Sequence, residues 1–264
     1  MVRGGKRIGI VLAAAAVALA VLAWAVASTG ATTPTVRTQQ SFSSDSYTCY
    51  QVTQNGPTTK VPIRLQTQFD QAPVGALTVR TLTVCAPTSR NGSEILDPAD
   101  HLDCRQIAVP AGFTPRNVLV TNQFGSIVLR VFAPWSLCAP ALKSLTTRFP
   151  PPPETRPDHF ECYTARYEGI FRKFPVTISD QFEEGVTVTV RKPVQLCAPA
   201  VKTVGNTTYG VSHPALHLVC YELMPRLGPV GPFTVYTNPQ FGVHRLTVKQ
   251  RDTLCLPSTK TLLP

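Results

Sequence analysis

NQFGSIVLRVFAPWSLCAPALK occupies residues 122–143, and its parts recur along the chain. LQTQFD followed by LTVCAPTSR, ISDQFE followed by VQLCAPAVK, and TNPQFG followed by DTLCLPSTK repeat the same order of a Gln-Phe pair, an apolar run and a cysteine. Upstream of each pair lies another cysteine: Cys49, Cys104, Cys162 and Cys220. It stands 19 residues before the glutamine in three units and 20 in the fourth. From that glutamine the closing cysteines Cys85, Cys138, Cys197 and Cys255 follow after 15 to 17 residues. Four units therefore share one layout, which makes this a repeat protein.

Within a unit the apolar period is two. VTVTVRK, residues 186–192, sets Val186, Val188 and Val190 against Thr187, Thr189 and Arg191, the alternation of a half-buried strand. IVLRVF and LTVRTLTV in units two and one have the same β-forming character, and 25 prolines would interrupt helices. Three strands per unit are predicted, one around the first cysteine, one running into Gln-Phe and one running into the closing cysteine. Two units then supply enough strands for a β-sandwich or a small barrel.

The units also pair. PADHLDC (98–104) and PALHLVC (214–220) open units two and four, and units one and three lack that motif. Between the pairs, RFPPPPETRPD (148–158) reads as an extended polyproline spacer. The expectation is all-β: two tandem disulfide-stapled domains, 46–147 and 159–261, joined by 148–158.

Ahead of the repeats, MVRGGKR precedes an uncharged apolar run from Ile8 to Ala27, and Ala25-Val26-Ala27 stands before Ser28. This is the pattern of an export signal, residues 1–27, with an uncleaved membrane anchor through 8–27 as the alternative. Residues 28–45 read as a flexible linker. Both readings place the repeats outside the cytoplasm. Loss of Arg3, Lys6 and Arg7 with the signal lowers the formal net charge from +10 to +7, a balance that favours anionic surfaces without naming one.

Eight cysteines in an exported chain point to disulfides, and no Cys-x-x-Cys spacing supports zinc or redox motifs. If the unit is the ancestral module, the bridges are Cys49–Cys85, Cys104–Cys138, Cys162–Cys197 and Cys220–Cys255. The rival arrangement swaps partners, Cys49 with Cys138 and Cys85 with Cys104. Gln68-Phe69, Gln123-Phe124, Gln181-Phe182 and Gln240-Phe241 read as structural, with the ring in a core and the amide serving backbone groups at a bend.

A base stands five residues after each closing cysteine: Arg90, Lys143, Lys202 and Lys260. Others lie in the preceding strands: Arg80, Arg130, Arg191 and Lys249. The first set forms a candidate stripe for a polyanion, an anionic polysaccharide or envelope surface, although a solvated strand face explains it more simply. Aromatic residues are not interleaved with these bases, so nucleic acid ranks low. His101, His159 and His217 precede three of the first cysteines, with Ser46 in the fourth place, and nothing requires them to converge on a metal. Two acidic groups do not recur: Glu94, Asp97, Asp100 and Asp103, and Asp180, Glu183 and Glu184. Neither has a calcium-loop pattern.

Motifs of hydrolases, phosphate loops and dinucleotide folds are absent, and no metal or cofactor is implied. Cys-Tyr, then Gln-Phe-Gly, then Leu-Cys-x-Pro-x-x-Lys resembles an uncharacterised domain of exported bacterial proteins, often found in tandem. The resemblance covers nearly all of residues 46–261 and departs at Arg105, where the other units have Tyr50, Tyr163 and Tyr221, and at Asp70, where glycine is usual. It implies export and a β-rich domain and transfers no activity. The expected role is a non-catalytic binding or structural module. The alternative is a hydrolase with a dispersed site at the acidic run before Cys104.

Overall fold

The computed structural model describes residues 44–146, 158–228 and 233–264. Residues 1–43 and 147–157, which carry the signal or anchor reading and nearly all of both linkers, lie outside the described residues. Every element described is a strand. Unit one gives β1 (Ser46–Asn55), β2 (Pro62–Gln66) and β3 (Val74–Arg90), and unit two gives β4 (His101–Ala108), β5 (Arg116–Asn122) and β6 (Gly125–Ser144). Unit three gives β7 (Phe160–Arg166), β8 (Phe174–Ser179) and β9 (Val186–Pro199), extended by β10 (Val201–Val204), on which β11 (Thr207–Tyr209) turns back. Unit four gives β12 (His217–Met224), β13 (Thr234–Asn238) and β14 (His244–Leu262).

The first and last strands of each unit close a ring. Antiparallel pairing runs β1–β3–β4–β6–β7–β9–β12–β14 and returns from β14 to β1. This is a closed eight-stranded barrel, the size whose interior side chains can nearly fill. Because side chains alternate along a strand, every cysteine faces inward. With them point Tyr47, Leu102, Phe160 and Leu218, each two residues before a first cysteine, and these twelve residues make one buried cluster.

Residues beside the cysteines in sequence face outward, under the hairpins. Each middle strand pairs with the first part of its unit's long strand: β2 with β3, β5 with β6, β8 with β9, β13 with β14. These hairpins pack on the next unit's barrel strands. Ile63, Leu65 and Ala76 of unit one meet Ile107 and Leu137 of unit two, and Val235, Leu246 and Val248 of unit four meet Tyr50, Val84 and Ala86 of unit one.

A third strand then completes each hairpin. The tail beyond the closing cysteine crosses to the unit two places on: Arg90 pairs with Ile178 of β8, Lys143 with Thr237 of β13, Lys202 with Leu65 of β2, and Lys260 with Val120 of β5. Without that tail each middle strand would present an open edge.

The expected division into two domains at 148–158 therefore does not describe the pairing. β1 pairs with β14 and β6 with β7, and hairpins of one half are completed by tails of the other, so 46–147 and 159–261 share one sheet. The pairing of units one with two and three with four has another physical basis. Asp45 accepts hydrogen bonds from the Leu96 and Asp97 amides, and Asp158 accepts them from Ser212 and His213. Aspartates ahead of units one and three cap the loops that carry the Pro-Ala-x-His motif, and this is the two-unit period.

The four bridges are Cys49–Cys85, Cys104–Cys138, Cys162–Cys197 and Cys220–Cys255, each within one unit. Each joins residues directly opposite in register. Such bridges persist in an oxidising environment. Among the described residues no helix is long and apolar enough to cross a membrane. Replacing Cys104 and Cys138 together by alanine frees a loop with a sequence separation of 34 and is expected to cost roughly 3–4 kcal/mol. A guanidinium unfolding curve should show a lower midpoint while the far-ultraviolet circular dichroism stays that of a β protein.

Candidate functional site

The recurring residues lock to one another. In units one to three the residue before Gln-Phe turns the chain: Thr67 Oγ1, Asn122 Oδ1 and Asp180 Oδ1 accept the amide of the phenylalanine two positions on. The glutamine then reaches backbone, Gln68 Nε2 donating to Pro214 O and Gln181 Nε2 to Pro98 O at 2.7 and 3.0 Å. Gln240 Oε1 instead meets His159 and Lys202.

The bases after Cys-x-Pro do not form an open stripe. Arg90 lies over Phe124, Lys143 over Phe182, Lys202 over Phe241 and Lys260 over Phe69, at 5.5, 3.8, 4.7 and 4.2 Å from the ring centres. Each base covers the phenylalanine of the following unit, and unit four closes on unit one. Burial lowers Lys143 and Lys260 to about 8. Other aromatics touch the same rings two units away: Tyr50 on Phe182, Tyr163 on Phe69 and Tyr221 on Phe124. Phe69, Phe124 and Phe182 are thus nodes between a cation and a tyrosine.

Arg105 takes the tyrosine's place over Phe241. Its charge is matched by Asp103, which is fully buried and accepts from Thr81 Oγ1, Thr237 Oγ1 and the His244 ring. Arg105 also meets His244 Nε2 at 2.9 Å. Both nitrogens of His244 are therefore engaged. The other members of the acidic run disperse. Asp100 accepts from Tyr47, Asp97 caps the Ala99 amide, and the His101 ring bonds the Ala99 carbonyl. Burial holds His101 and His217 down at about 4, so they are neutral. In the second acidic group Asp180 holds its turn and the Tyr50 hydroxyl, and Glu183 pairs with Arg251.

The unassigned feature is the mouth of the barrel. A cavity of about 270 Å³ has all eight cysteines as its floor and Gln51, Thr83, Ser136, Gln195 and Thr253 on its walls. Tyr47, Leu102, Phe160 and Leu218 fill the barrel beyond the sulfurs. In each unit the strand is irregular three residues before the closing cysteine, where pairing skips Leu82, Trp135, Val194 and Asp252. A bulge re-aims a side chain, and Leu82, Trp135 and Asp252 line the mouth together with Arg80. Trp135 is 40% exposed. Asp252 is paired with Arg226 at 3.3 Å and accepts from Gln51. The four skipped positions are unlike one another beside an invariant cysteine, and that contrast is the sequence signal for the mouth.

Two predictions follow the repeat's own substitutions. Arg105→Tyr alone removes the guanidinium that bonds His244 and whose field acts on buried Asp103, and leaving the His244 nitrogen unmet is expected to cost about 1–3 kcal/mol. Adding Asp103→Val, which copies Val219 and Tyr221 of unit four, should recover much of that loss in the unfolding midpoint. Glu161 occupies the same position in unit three; burial raises its carboxyl to about 7 although Tyr163 donates to it. The folded form therefore holds a proton that the unfolded chain releases above about 4.3. The penalty for the charge is full above pH 7 and fades as pH falls towards 4.3. Glu161→Gln should accordingly raise stability by roughly 3 kcal/mol at pH 8 and hardly at all at pH 4.3, read from unfolding midpoints across that range.

No curated protein matches the chain, and no solved structure does. A family model described as a repeat of unknown function (DUF7450) matches residues 101–257, from the start of β4 into β14. That span exceeds half of the chain and covers units two and three and nearly all of unit four, and the chain belongs to this family of repeats of unknown function.

Proposed function

We propose that the protein is an exported, non-catalytic binding module that takes one acidic sugar unit of an anionic polysaccharide in the mouth of its barrel. The observation that carries this reading is the set of bulges that turns Trp135, Leu82 and Asp252 to one rim, beside Arg80. An exposed indole offers a flat apolar face to the C–H face of a sugar ring. Arg80, which is exposed, supplies a cation for a carboxylate, whereas Asp252 is already neutralised by Arg226. Gln195, Ser136 and Thr253 supply donors and acceptors for hydroxyls. A cavity just under the usual range of about 300–1,000 Å³ suits one ring, with the rest of a polymer outside.

Export is supported by the signal-like residues 1–27 and by bridges suited to an oxidising compartment. The hydrolase reading at the acidic run has less support, because its carboxylates hold Tyr47, Thr81, Thr237 and His244. An envelope surface remains a partner through exposed bases such as Arg80 and Lys249 rather than through the four bases stacked on phenylalanine.

In a chain starting at Ser28, Trp135 is the sole tryptophan, so its fluorescence reports on the mouth. Titration with trigalacturonate should give a saturable change that glucose does not match and that weakens with salt. Arg80→Ala should reduce the affinity at least tenfold. Absence of saturable binding to trigalacturonate by fluorescence and calorimetry, or undiminished binding to Arg80→Ala, would remove this reading.

A further inference from the structure

The eight cysteine sulfurs form one closed ring. Between bridges, Cys49 Sγ lies 3.7 Å from Cys255 Sγ, Cys85 3.7 Å from Cys104, Cys138 3.6 Å from Cys162, and Cys197 4.0 Å from Cys220. Every sulfur thus has one bonded sulfur and one in contact. The register explains the arrangement. Across unit boundaries Cys49 stands opposite Thr253 and Cys255 opposite Tyr47, so the two cysteines are offset by two residues on the same inward face. The same offset sets Cys85 against Cys104, Cys138 against Cys162 and Cys197 against Cys220.

We propose that this ring is a thiol–disulfide relay, in which a thiol freed at one unit exchanges with the neighbouring unit's bridge and moves round the barrel. In one step the Cys49 thiolate attacks Cys255 Sγ. The Cys49–Cys255 bond forms, the Cys220–Cys255 bond breaks, and the electron pair leaves on Cys220 Sγ. The new thiolate contacts Cys197 and repeats the step on the Cys162–Cys197 bridge. The proton released by the first thiol is recovered by the last thiolate through water, and nothing is oxidised or reduced overall. In the native chain a small external thiol starts the process by forming a mixed disulfide with one half of a bridge and releasing the other half as thiolate. All eight cysteines line the cavity, and Cys138, at 5%, is the most exposed of them.

The contacts impose a rule. Each joins an opening cysteine of one unit to a closing cysteine of another. A thiol that begins on an opening cysteine therefore visits only opening cysteines. A bridge lost in one unit is not fixed there, and the vacancy is shared by all four.

Cys85→Ser leaves Cys49 as the starting thiol. The folded variant, checked by circular dichroism, is held at pH 8, quenched in acid, unfolded, alkylated and mapped by mass spectrometry. Label is expected on Cys49 and, in falling amounts, on Cys220, Cys162 and Cys104, with a Cys49–Cys255 bridge present. The amounts fall because each step replaces a directly opposed pair by an offset one. Cys49→Ser should give the complementary set Cys85, Cys138, Cys197 and Cys255. Label confined to the starting cysteine, or spread over both sets, overturns the relay. Should neither variant fold, the native protein with less than one equivalent of 2-mercaptoethanol at pH 8 is expected to yield Cys85–Cys104 and Cys138–Cys162 bridges, and recovery of in-unit bridges alone overturns the proposal.

Discussion

The seam between β1 and β14 is the constraint from which the remaining structure follows. Along it Tyr47 to Asn55 pair with Cys255 to Arg245, joining the start of the repeats to their end. If it opened, two inner strands would each lose a row of hydrogen bonds, and the apolar quartet of Tyr47, Leu102, Phe160 and Leu218 would lose its wall. Closure also fixes the number of units. Each unit contributes two strands to the barrel, so four units are needed for an interior that eight sulfurs and four apolar side chains can occupy.

Two other networks depend on this closure. Tails travel two units forward to complete hairpins, while bases travel one unit forward to cover phenylalanines. A tail can reach its hairpin only when the ring has brought opposite units to fixed positions. Phe69, Phe124, Phe182 and Phe241 sit where these networks cross, which is why a dipeptide that makes only a turn locally is invariant across the repeat. At Phe241 the tyrosine is exchanged for Arg105, and the buried carboxylate of Asp103 appears beside it. The compensation is local, so the ring tolerates one irregular node.

Much of this was legible in the residues. The repeated unit, with one opening and one closing cysteine, pointed to bridges within units but left the swapped pairing open, and alternation in Val186–Val190 pointed to strands. The turn at Gln-Phe was legible too, because it is local, whereas the partners of the glutamine amides, Pro214 and Pro98, lie in other units. Pairing between units was not, since strand registry across a boundary leaves no period in the sequence. The two-unit period of Pro-Ala-x-His suggested a domain boundary, whereas it marks loops capped by Asp45 and Asp158. Arg90, Lys143, Lys202 and Lys260 suggested a solvated stripe because nothing in one unit shows the phenylalanine of the next.

The mouth illustrates why a symmetric repeat can carry an asymmetric rim. Positions facing the sulfurs or the outer hairpins are each touched by two or more units, so a change there disturbs several contacts at once. The bulged positions are different: pairing skips them, and three of them, Leu82, Trp135 and Asp252, line the mouth. Leu82, Trp135 and Asp252 can therefore differ without disturbing any strand pair, and they stand within one rim because the barrel brings their three bulges together. Variation that the fold does not need is concentrated at this rim, and the invariant cysteines lie directly beneath it.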